Sequence, residues 1–227
     1  MNKNILRRLK KMNNKALERI IYMRFNNNYI SWMPSTSGYF CVGEEPYEVL
    51  NMVLEMCSAK LRKRILKIIH RFLKLTFENE MKAGFVMNLE AVLQNWSNQE
   101  VLDDIECILK EGSLIKNGET ERHAGLLKVL ISNAYRGNEV FWLEQYKKLG
   151  DSYGAVIFSG LLGLDLDCAF KHLGELVKNE EATSWIKLGL PTVRHMLGED
   201  RFLSTFEKYR KILPEGFYKA AMHPVGK

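Results

Sequence analysis

The run of residues 60–78, KLRKRILKIIHRFLKLTFE, has the strongest periodic pattern in the chain. Cationic residues recur there every three or four positions, and apolar residues fill the opposite side of a helical projection. The cations form what we call the basic ridge: Lys60, Lys63, Arg64, Lys67, Arg71 and Lys74. The pattern predicts an amphipathic helix whose apolar face is covered by other helices. The basic ridge is predicted to face solvent, because enclosing an unpaired Lys or Arg is costly.

Helical periodicity runs through nearly every other segment, which predicts an all-α fold with about eight helices or more and no sheet of three or more strands. The predicted helices cover residues 5–24, 46–59, 60–78, 88–96, 97–110, 119–135, 151–162, 165–178, 180–197, 200–213 and 214–222, with another around Phe141, Trp142 and Tyr146. Pro46 suits the first turn of its helix, whereas Pro191 is predicted to interrupt its own. Ser97 and Glu100 match a capping box that would open the helix 97–110.

The periodicity is lost between residues 25 and 45, where asparagines, prolines and glycines break any regular pattern. This predicts a long loop. It contains five aromatic residues, Phe25, Tyr29, Trp32, Tyr39 and Phe40. These are too many for a bare linker, so the loop is predicted to pack on the helices. A loop of this length can also carry function, and the sequence leaves that alternative open.

From residue 88 onward the predicted helices follow one another as antiparallel pairs, each pair taking about 30 residues. The rhythm resembles that of HEAT-type and related solenoids over roughly residues 88–213, and it rests on element length rather than on residue identities. The resemblance implies a curved binding surface. The predicted fold is therefore all-α, with antiparallel helix pairs stacked as a short HEAT-like α-solenoid or an irregular helical bundle. Residues 1–81 form its basic N-terminal part and residues 82–227 its helix-pair region, within one continuous domain.

Charge is distributed unevenly along the chain, whose formal net charge is +6. Residues 1–74 hold 15 of the 33 Lys and Arg and 5 of the 27 Asp and Glu, which leaves 18 basic and 22 acidic residues for 75–227. This polarity favours an anionic partner at the basic end, and it would equally allow the acidic part to dock against the basic part or a head-to-tail dimer.

No Walker A, HExxH or GxSxG motif is present, so the usual signatures of nucleotide-binding enzymes, metalloproteases and serine hydrolases are missing. Gly154, Gly160 and Gly163 have the wrong spacing for a nucleotide fingerprint and are predicted to allow close helix packing. Cys168 and His172 lie four residues apart on one helical face, where a thiol and an imidazole could bind metal or form a nucleophile. Asp165 and Asp167 lie about one turn before the pair, but no local residue completes a triad or a metal site, so Cys168 and His172 are predicted to be structural.

Other polar groups carry no catalytic pattern. Arg194 and His195, with Glu199 and Asp200, are predicted to be helix-end charges around a turn. Four carboxylates, Glu100, Asp103, Asp104 and Glu106, point to several sides of one predicted helix, which favours a solvated surface. The histidines His70, His123 and His223 have no partner at diagnostic spacing and stay unassigned.

The four cysteines are scattered, without a CxxC pair, and are predicted to be free thiols rather than a disulfide framework or a metal site. No apolar run approaches the roughly 20 residues needed to cross a bilayer, and the N-terminal run is interrupted by charge. These features predict a soluble cytoplasmic protein without a secretion signal.

The leading functional hypothesis is a non-enzymatic protein-binding protein, such as an adaptor, scaffold or immunity-type inhibitor, with no cofactor and no metal. Its partner would be a protein with an anionic surface, and the basic ridge is one candidate contact; the sequence leaves open the alternative that the ridge is only a solvated outer face. The alternative is nucleic-acid binding through the same ridge, since several cations on successive turns can contact phosphates. A membrane-surface helix and an enzyme whose residues converge only in the fold are weaker alternatives.

Overall fold

The computed structural model describes residues 3–26, 46–73, 82–135, 137–214 and 216–222. Within these ranges the chain forms fourteen α-helices and one 3₁₀ turn, and no strand, so the predicted all-α fold is confirmed. It divides into two compact units, Met1–Ile105 and Glu106–Lys227. The division predicted at residue 81 and the HEAT-type resemblance stay predictions. None of the described helices is long and apolar enough to cross a membrane.

The first unit contains five helices and the start of a sixth. They are α1 (Lys3–Lys11), α2 (Asn14–Asn26), α3 (Pro46–Met56), α4 (Ala59–Phe72), α5 (Lys82–Trp96) and α6 (Gln99–Glu111). Helices α2 and α5 pack against each other, and both contact α3 and α4. At their centre Phe25, Phe72 and Phe85 are buried with ring centroids 5.4 to 6.1 Å apart. This aromatic core covers the apolar face of α4, as the amphipathic pattern predicts.

The predicted helix 5–24 is wrong in one respect, because the chain forms two helices there. Helix α1 ends at Lys11, and the Asn13 side chain accepts a hydrogen bond from the Ala16 backbone N–H at 2.8 Å. Asparagine is a preferred N-cap because its side-chain oxygen satisfies a free N–H of the first turn. A local cap therefore overrides the continuous apolar periodicity. Phe25, predicted to lie in the loop, is a buried residue in the last turn of α2, and residues 27–45 of that loop lie outside the described residues.

Two predictions around α5 and α6 also need correction. Helix α5 begins at Lys82, six residues before the predicted start at Asn88. The cap of α6 is Asn98, whose Oδ1 accepts from the Val101 N–H at 3.0 Å, and not Ser97. The Ser97 hydroxyl instead donates to the Leu93 carbonyl at 2.7 Å and so belongs to the end of α5.

The second unit contains the remaining helices. They are α7 (Ser113–Lys116), α8 (Thr120–Ser132), α9 (Glu139–Leu149), α10 (Gly154–Leu164), α11 (Leu166–Leu176), α12 (Glu180–Leu197), α13 (Glu199–Tyr209) and α14 (Phe217–Ala221), with the 3₁₀ turn at Asp151–Tyr153. Helix α10 is central, since it contacts α8, α9, α11 and α12. Helix α13 packs on α11 and α12, and α14 packs on α12. Several of these contacts join helices that are not successive in the chain, such as α10 with α12, α11 with α13 and α12 with α14.

Close helix approach at glycine is confirmed at two of the three predicted positions. Gly160 packs directly on the indole of Trp142, and Gly154 packs on the backbone carbonyl of Leu176, so a Cβ at either position would overlap its neighbour. Nothing lies within 4 Å of a Cβ placed at Gly163, so the packing prediction is wrong there. The two packed glycines allow α10 to lie against α9 and the end of α11.

Pro191 lies within α12, so the predicted interruption is wrong. Proline removes one backbone donor and usually kinks a helix. Here the helix continues because residues on both sides of Pro191 are packed: Ile186 and Leu190 are buried, and Val193 and Leu197 are half-buried. Tertiary burial stabilises the turn that the local sequence disfavours.

Candidate partner-binding surfaces

Lys60, Lys63 and Lys67 lie exposed on the outer side of α4. Among the described residues these lysines make no hydrogen bond or ion pair with the protein. Their outward orientation confirms the prediction from the amphipathic pattern. Lys74, the last member of the basic ridge, lies outside the described residues. Whether the ridge binds a partner stays a prediction.

Arg64 has a different role from the ridge lysines. Its Nη2 donates to the Met12 carbonyl oxygen at 2.5 Å, and its Nε donates to Asn14 Oδ1 at 2.9 Å. Both acceptors lie at the corner between α1 and α2. The last carbonyls of a helix have no partner within the helix, so a guanidinium placed there satisfies them and complements the helix dipole. Arg64 is half-buried and stabilises the unit, which the ridge pattern did not reveal.

Arg71 is exposed and forms an ion pair with Glu18 of α2, with 2.9 Å between Nη2 and Oε2. The sequence showed no acid at helical spacing on α4, but the fold supplies one from another helix. Three of the five described ridge cations, the lysines, are therefore unpaired. Exposed cations also lie on the neighbouring helices α1 and α2: Arg7, Arg8, Lys10, Lys11, Lys15 and Arg19. As a name for these nine exposed cations of α1, α2 and α4 we use the basic face.

A second surface lies on α12 and was not predicted. Trp185, Leu188 and Met196 share one side of this helix and are 59%, 70% and 78% exposed. We call them the apolar stripe. The buried residues Ile186 and Leu190 lie on another side of the same helix. The sequence pattern predicted α12 only as one member of a helix pair. The signal that could have found the stripe is a second set of apolar residues displaced from the core-facing set.

Glu139, Cys168 and His172 form a cluster between α9 and α11. His172 Nε2 lies 2.7 Å from Glu139 Oε1, and Lys171 Nζ donates to the same oxygen at 2.9 Å. The carboxylate oxygen, the Cys168 Sγ and an imidazole nitrogen all lie within 4.8 Å of one another. The third participant that the sequence lacked is thus Glu139, which precedes His172 by 33 residues and was beyond any helical-spacing argument.

Two pKa values in this cluster are shifted in opposite directions, that of Glu139 downward and that of Cys168 upward. Hydrogen bonds from His172 and Lys171 lower the pKa of Glu139 to about 2, so its carboxylate is ionised. Burial, together with the negative charge of Glu139, raises the pKa of Cys168 to about 11. At neutral pH the thiol is protonated and is a weak nucleophile. The cluster therefore gives no support to thiol catalysis by Cys168.

The polar residues around the turn between α12 and α13 occupy the predicted positions. Arg194 and His195 lie in the last turn of α12, and Glu199 and Asp200 lie in the first turn of α13. Cations near a helix C-terminus and anions near an N-terminus complement the helix dipoles. This placement agrees with a structural role.

The fold supplies partners for His70 and for some of the carboxylates of α6. His70 Nε2 lies 2.6 Å from Asp104 Oδ2, so Asp104 contributes to packing rather than to a solvated surface. Glu106 likewise pairs with Lys110, whereas Glu100 and Asp103 are exposed as predicted. His223 lies outside the described residues.

His123 is fully buried in α8, and its Nε2 lies 2.8 Å from Oε1 of the equally buried Gln145 of α9. Burial lowers the pKa of His123 because the charged imidazolium would lose its hydration. The ring is therefore neutral at physiological pH, and the hydrogen bond between His123 and Gln145 connects α8 with α9.

No family model, curated protein or solved structure matches this chain in comparisons with known proteins. The function is therefore inferred from the two surfaces and the cluster.

Proposed function

We propose that this protein is a non-enzymatic cytoplasmic binding protein that engages another protein, in the manner of an adaptor, scaffold or immunity-type inhibitor. The observation that carries the proposal is the apolar stripe of Trp185, Leu188 and Met196 on the outer side of α12. The free thiols of Cys57, Cys107 and Cys168 support a reducing compartment.

The apolar stripe has the composition of a protein interface. Single exposed apolar residues are common, but a group of large ones on one helical face is typical of an interaction site. Tryptophan is enriched among the residues that contribute most to binding, and methionine adapts to irregular surfaces. A helix that presents such a stripe suits a groove or a second helix on the partner, where the three side chains would be removed from water.

The basic face adds a charge preference. Its lysines are mobile point charges, and lysine is depleted at the centres of protein interfaces. They therefore suit long-range attraction of an anionic surface, which raises the association rate more than the final affinity. This role requires no particular distance between the basic face and the apolar stripe.

A second candidate function is nucleic-acid binding through the basic face. It is favoured by one observation: Lys60, Lys63 and Lys67 are exposed and unpaired on successive turns of α4. Each phosphate contact would release counterions and make the affinity strongly dependent on salt.

Affinity capture with and without nuclease distinguishes the two functions. We expect a stoichiometric protein to remain after nuclease treatment. The combined substitutions Trp185→Gln, Leu188→Gln and Met196→Gln should abolish its capture, while glutamine preserves helix propensity. The matched control is Ile212→Gln, which changes a residue that is 56% exposed in the same unit but outside the stripe. Recovery of nucleic acid alone, lost on Lys60→Gln, Lys63→Gln and Lys67→Gln, would contradict the leading proposal.

A further inference from the structure

Glu139, Cys168 and His172 offer three different ligand atoms to one point between α9 and α11. A thiolate sulfur, an imidazole nitrogen and a carboxylate oxygen are the ligands that Zn²⁺ accepts in proteins. The exposures of the His172 and Glu139 side chains are 13% and 39%, so the cluster is partly enclosed but open to an ion from solvent. We propose that these three residues form a binding site for a single thiophilic divalent metal ion, with Zn²⁺ as the physiological ion.

The backbone positions suit this assignment. Cys168 and His172 are four residues apart on α11, so their side chains lie one above the other on the same face. Glu139 is the first residue of α9, whose N-terminus is fixed by the Asn138 side chain accepting from the Phe141 N–H at 2.8 Å. All three ligands are therefore supplied from ordered helices, which hold a metal site more precisely than loops do.

The distances also suit a single ion. With Zn–N and Zn–O near 2.0 Å and Zn–S near 2.3 Å, the ligand atoms of a tetrahedral site are roughly 3 to 4 Å apart. The three atoms here already lie within 4.8 Å of one another. A single ion could contact all three atoms once these separations shorten.

The residues around the cluster are also compatible with a bound metal ion. Lys171 and His172 both bond to Oε1 of Glu139, so rotation of the carboxylate can give one oxygen to the metal and leave the other with Lys171. Such an outer hydrogen bond orients a metal-bound carboxylate. The Cys168 thiol lies within hydrogen-bonding reach of the Glu139 carboxylate, so the sulfur already stands beside the oxygen with which it would share the metal. Metal binding would release the Cys168 proton to solvent, and three protein ligands leave a fourth position for water or a partner's side chain.

Cobalt titration of the full-length protein, stripped with a chelator, tests the site. Co²⁺ replaces Zn²⁺ in such sites and reports a bound thiolate by charge-transfer absorption in the near ultraviolet. We expect one Co²⁺ per chain, with visible bands of four-coordinate geometry that disappear when Zn²⁺ is added. Because no partner or substrate is needed, this result is independent of the proposed binding function.

Three variants make the test specific. Cys168→Ala should remove the charge-transfer absorption, and His172→Gln should weaken Co²⁺ binding by more than the roughly 100-fold that loss of an outer-sphere group can cost. Cys107→Ala is the matched control, since Cys107 is an exposed thiol 3.5 Å from the Glu111 carboxylate and belongs to no such cluster. It should bind Co²⁺ like the unsubstituted protein. Circular dichroism checks that each variant is folded.

The inference is overturned if the unsubstituted protein gives no thiolate absorption at saturating Co²⁺. It is equally overturned if folded Cys168→Ala and His172→Gln bind Co²⁺ as tightly as the unsubstituted chain. Either result would return Glu139, Lys171 and His172 to the role of an interhelical ion pair, with Cys168 as a packing residue.

Discussion

The outer faces of α4 and α12 differ in chemistry although the inner faces of both helices are packed in the same way. Helix α4 buries residues such as Ile65 and Ile69, and α12 buries Ile186 and Leu190. A lysine-rich outer face is the ordinary arrangement for a helix in water, whereas the exposed apolar stripe leaves hydrophobic area hydrated. The basic ridge of α4 is the more conspicuous pattern in the sequence, yet it is the arrangement that any exposed helix in water can have.

Two kinds of attachment hold helices together in both units: polar side chains that bind neighbouring backbone, and close apolar packing. In the first unit, long polar side chains bind neighbouring backbone: Arg64 bonds to the Met12 carbonyl oxygen, and Arg62 Nε donates to the Leu54 carbonyl at 2.7 Å. In the second unit, α10 depends on close apolar packing at Gly160 and Trp142. Substitutions at Gly160 and at Arg64 test the apolar and the polar attachment separately.

The largest effect is expected for Gly160→Ala. The new methyl group would overlap the buried Trp142 ring, and overpacking of this kind typically costs about 3 kcal/mol at the upper end of its range. Gly163→Ala is the control, because it adds the same methyl group to the same helix where no atom lies within 4 Å. Urea denaturation measures both free energies of unfolding. Equal values for the two variants would show that α10 is not closely packed on α9.

A smaller loss is expected for Arg64→Ala. This change removes hydrogen bonds from a charged donor to a half-buried backbone carbonyl, which contribute about 1 to 2 kcal/mol after allowance for partial exposure. Lys63→Ala is the control, because Lys63 is the adjacent, exposed member of the basic ridge. It should change the free energy of unfolding by no more than about 0.5 kcal/mol. If both variants are equally stable, the basic ridge is uniform and the distinction drawn between its arginines and lysines fails.

The sequence predicted the helices well because their signal is local. Apolar periodicity identified α4 and α12, and it placed Lys60, Lys63 and Lys67 outward. The contacts that it did not predict join residues distant in the chain. Glu18 pairs with Arg71, and Glu139 joins His172, through contacts that no spacing rule within one helix can indicate.

The missed boundaries have a related cause. Asn13 ends one helical segment and starts the next through a single side-chain hydrogen bond, which outweighs the apolar pattern that runs across it. Pro191 is the opposite case, since burial of Leu190 keeps the helix continuous where the local residue disfavours it. The apolar stripe was not predicted, because its residues are displaced from the core-facing apolar residues Ile186 and Leu190 of the same helix.

The buried, hydrogen-bonded pair of His123 and Gln145 should make the free energy of unfolding depend on pH. Because the pKa of His123 is lowered in the folded state below its ordinary value of 6.5, the unfolded chain binds protons first as the pH falls. The free energy of unfolding should therefore decrease as the pH falls below about 6.5. His123→Gln should be less stable at neutral pH but lose that part of the pH dependence. An unchanged slope in this variant would place the responsible group elsewhere.

The smallest effect on stability is expected for Lys60→Gln, Lys63→Gln and Lys67→Gln together. Exposed, unpaired lysines contribute about 0.5 kcal/mol or less each, so the fold should remain intact. If the basic face binds nucleic acid, affinity should fall for all sequences alike, and the salt slope should shrink by roughly one for each lost phosphate contact. Lys128→Gln, Lys147→Gln and Lys178→Gln, three exposed lysines of the second unit, are the matched control. Unfolding of the ridge variant would contradict the assigned exposure.

Hydroxyl-radical footprinting of the captured complex tests the central claim most directly, because it compares side-chain exposure in the free and bound protein. Trp185 and Met196 are oxidised readily when they contact water, and so is Met87, which is 68% exposed on α5 of the first unit. We predict that binding of the partner protects Trp185 and Met196 and leaves Met87 as reactive as in the free protein. Equal oxidation of Trp185 and Met196 in the free and bound states would contradict the claim that the apolar stripe of α12 is the binding surface.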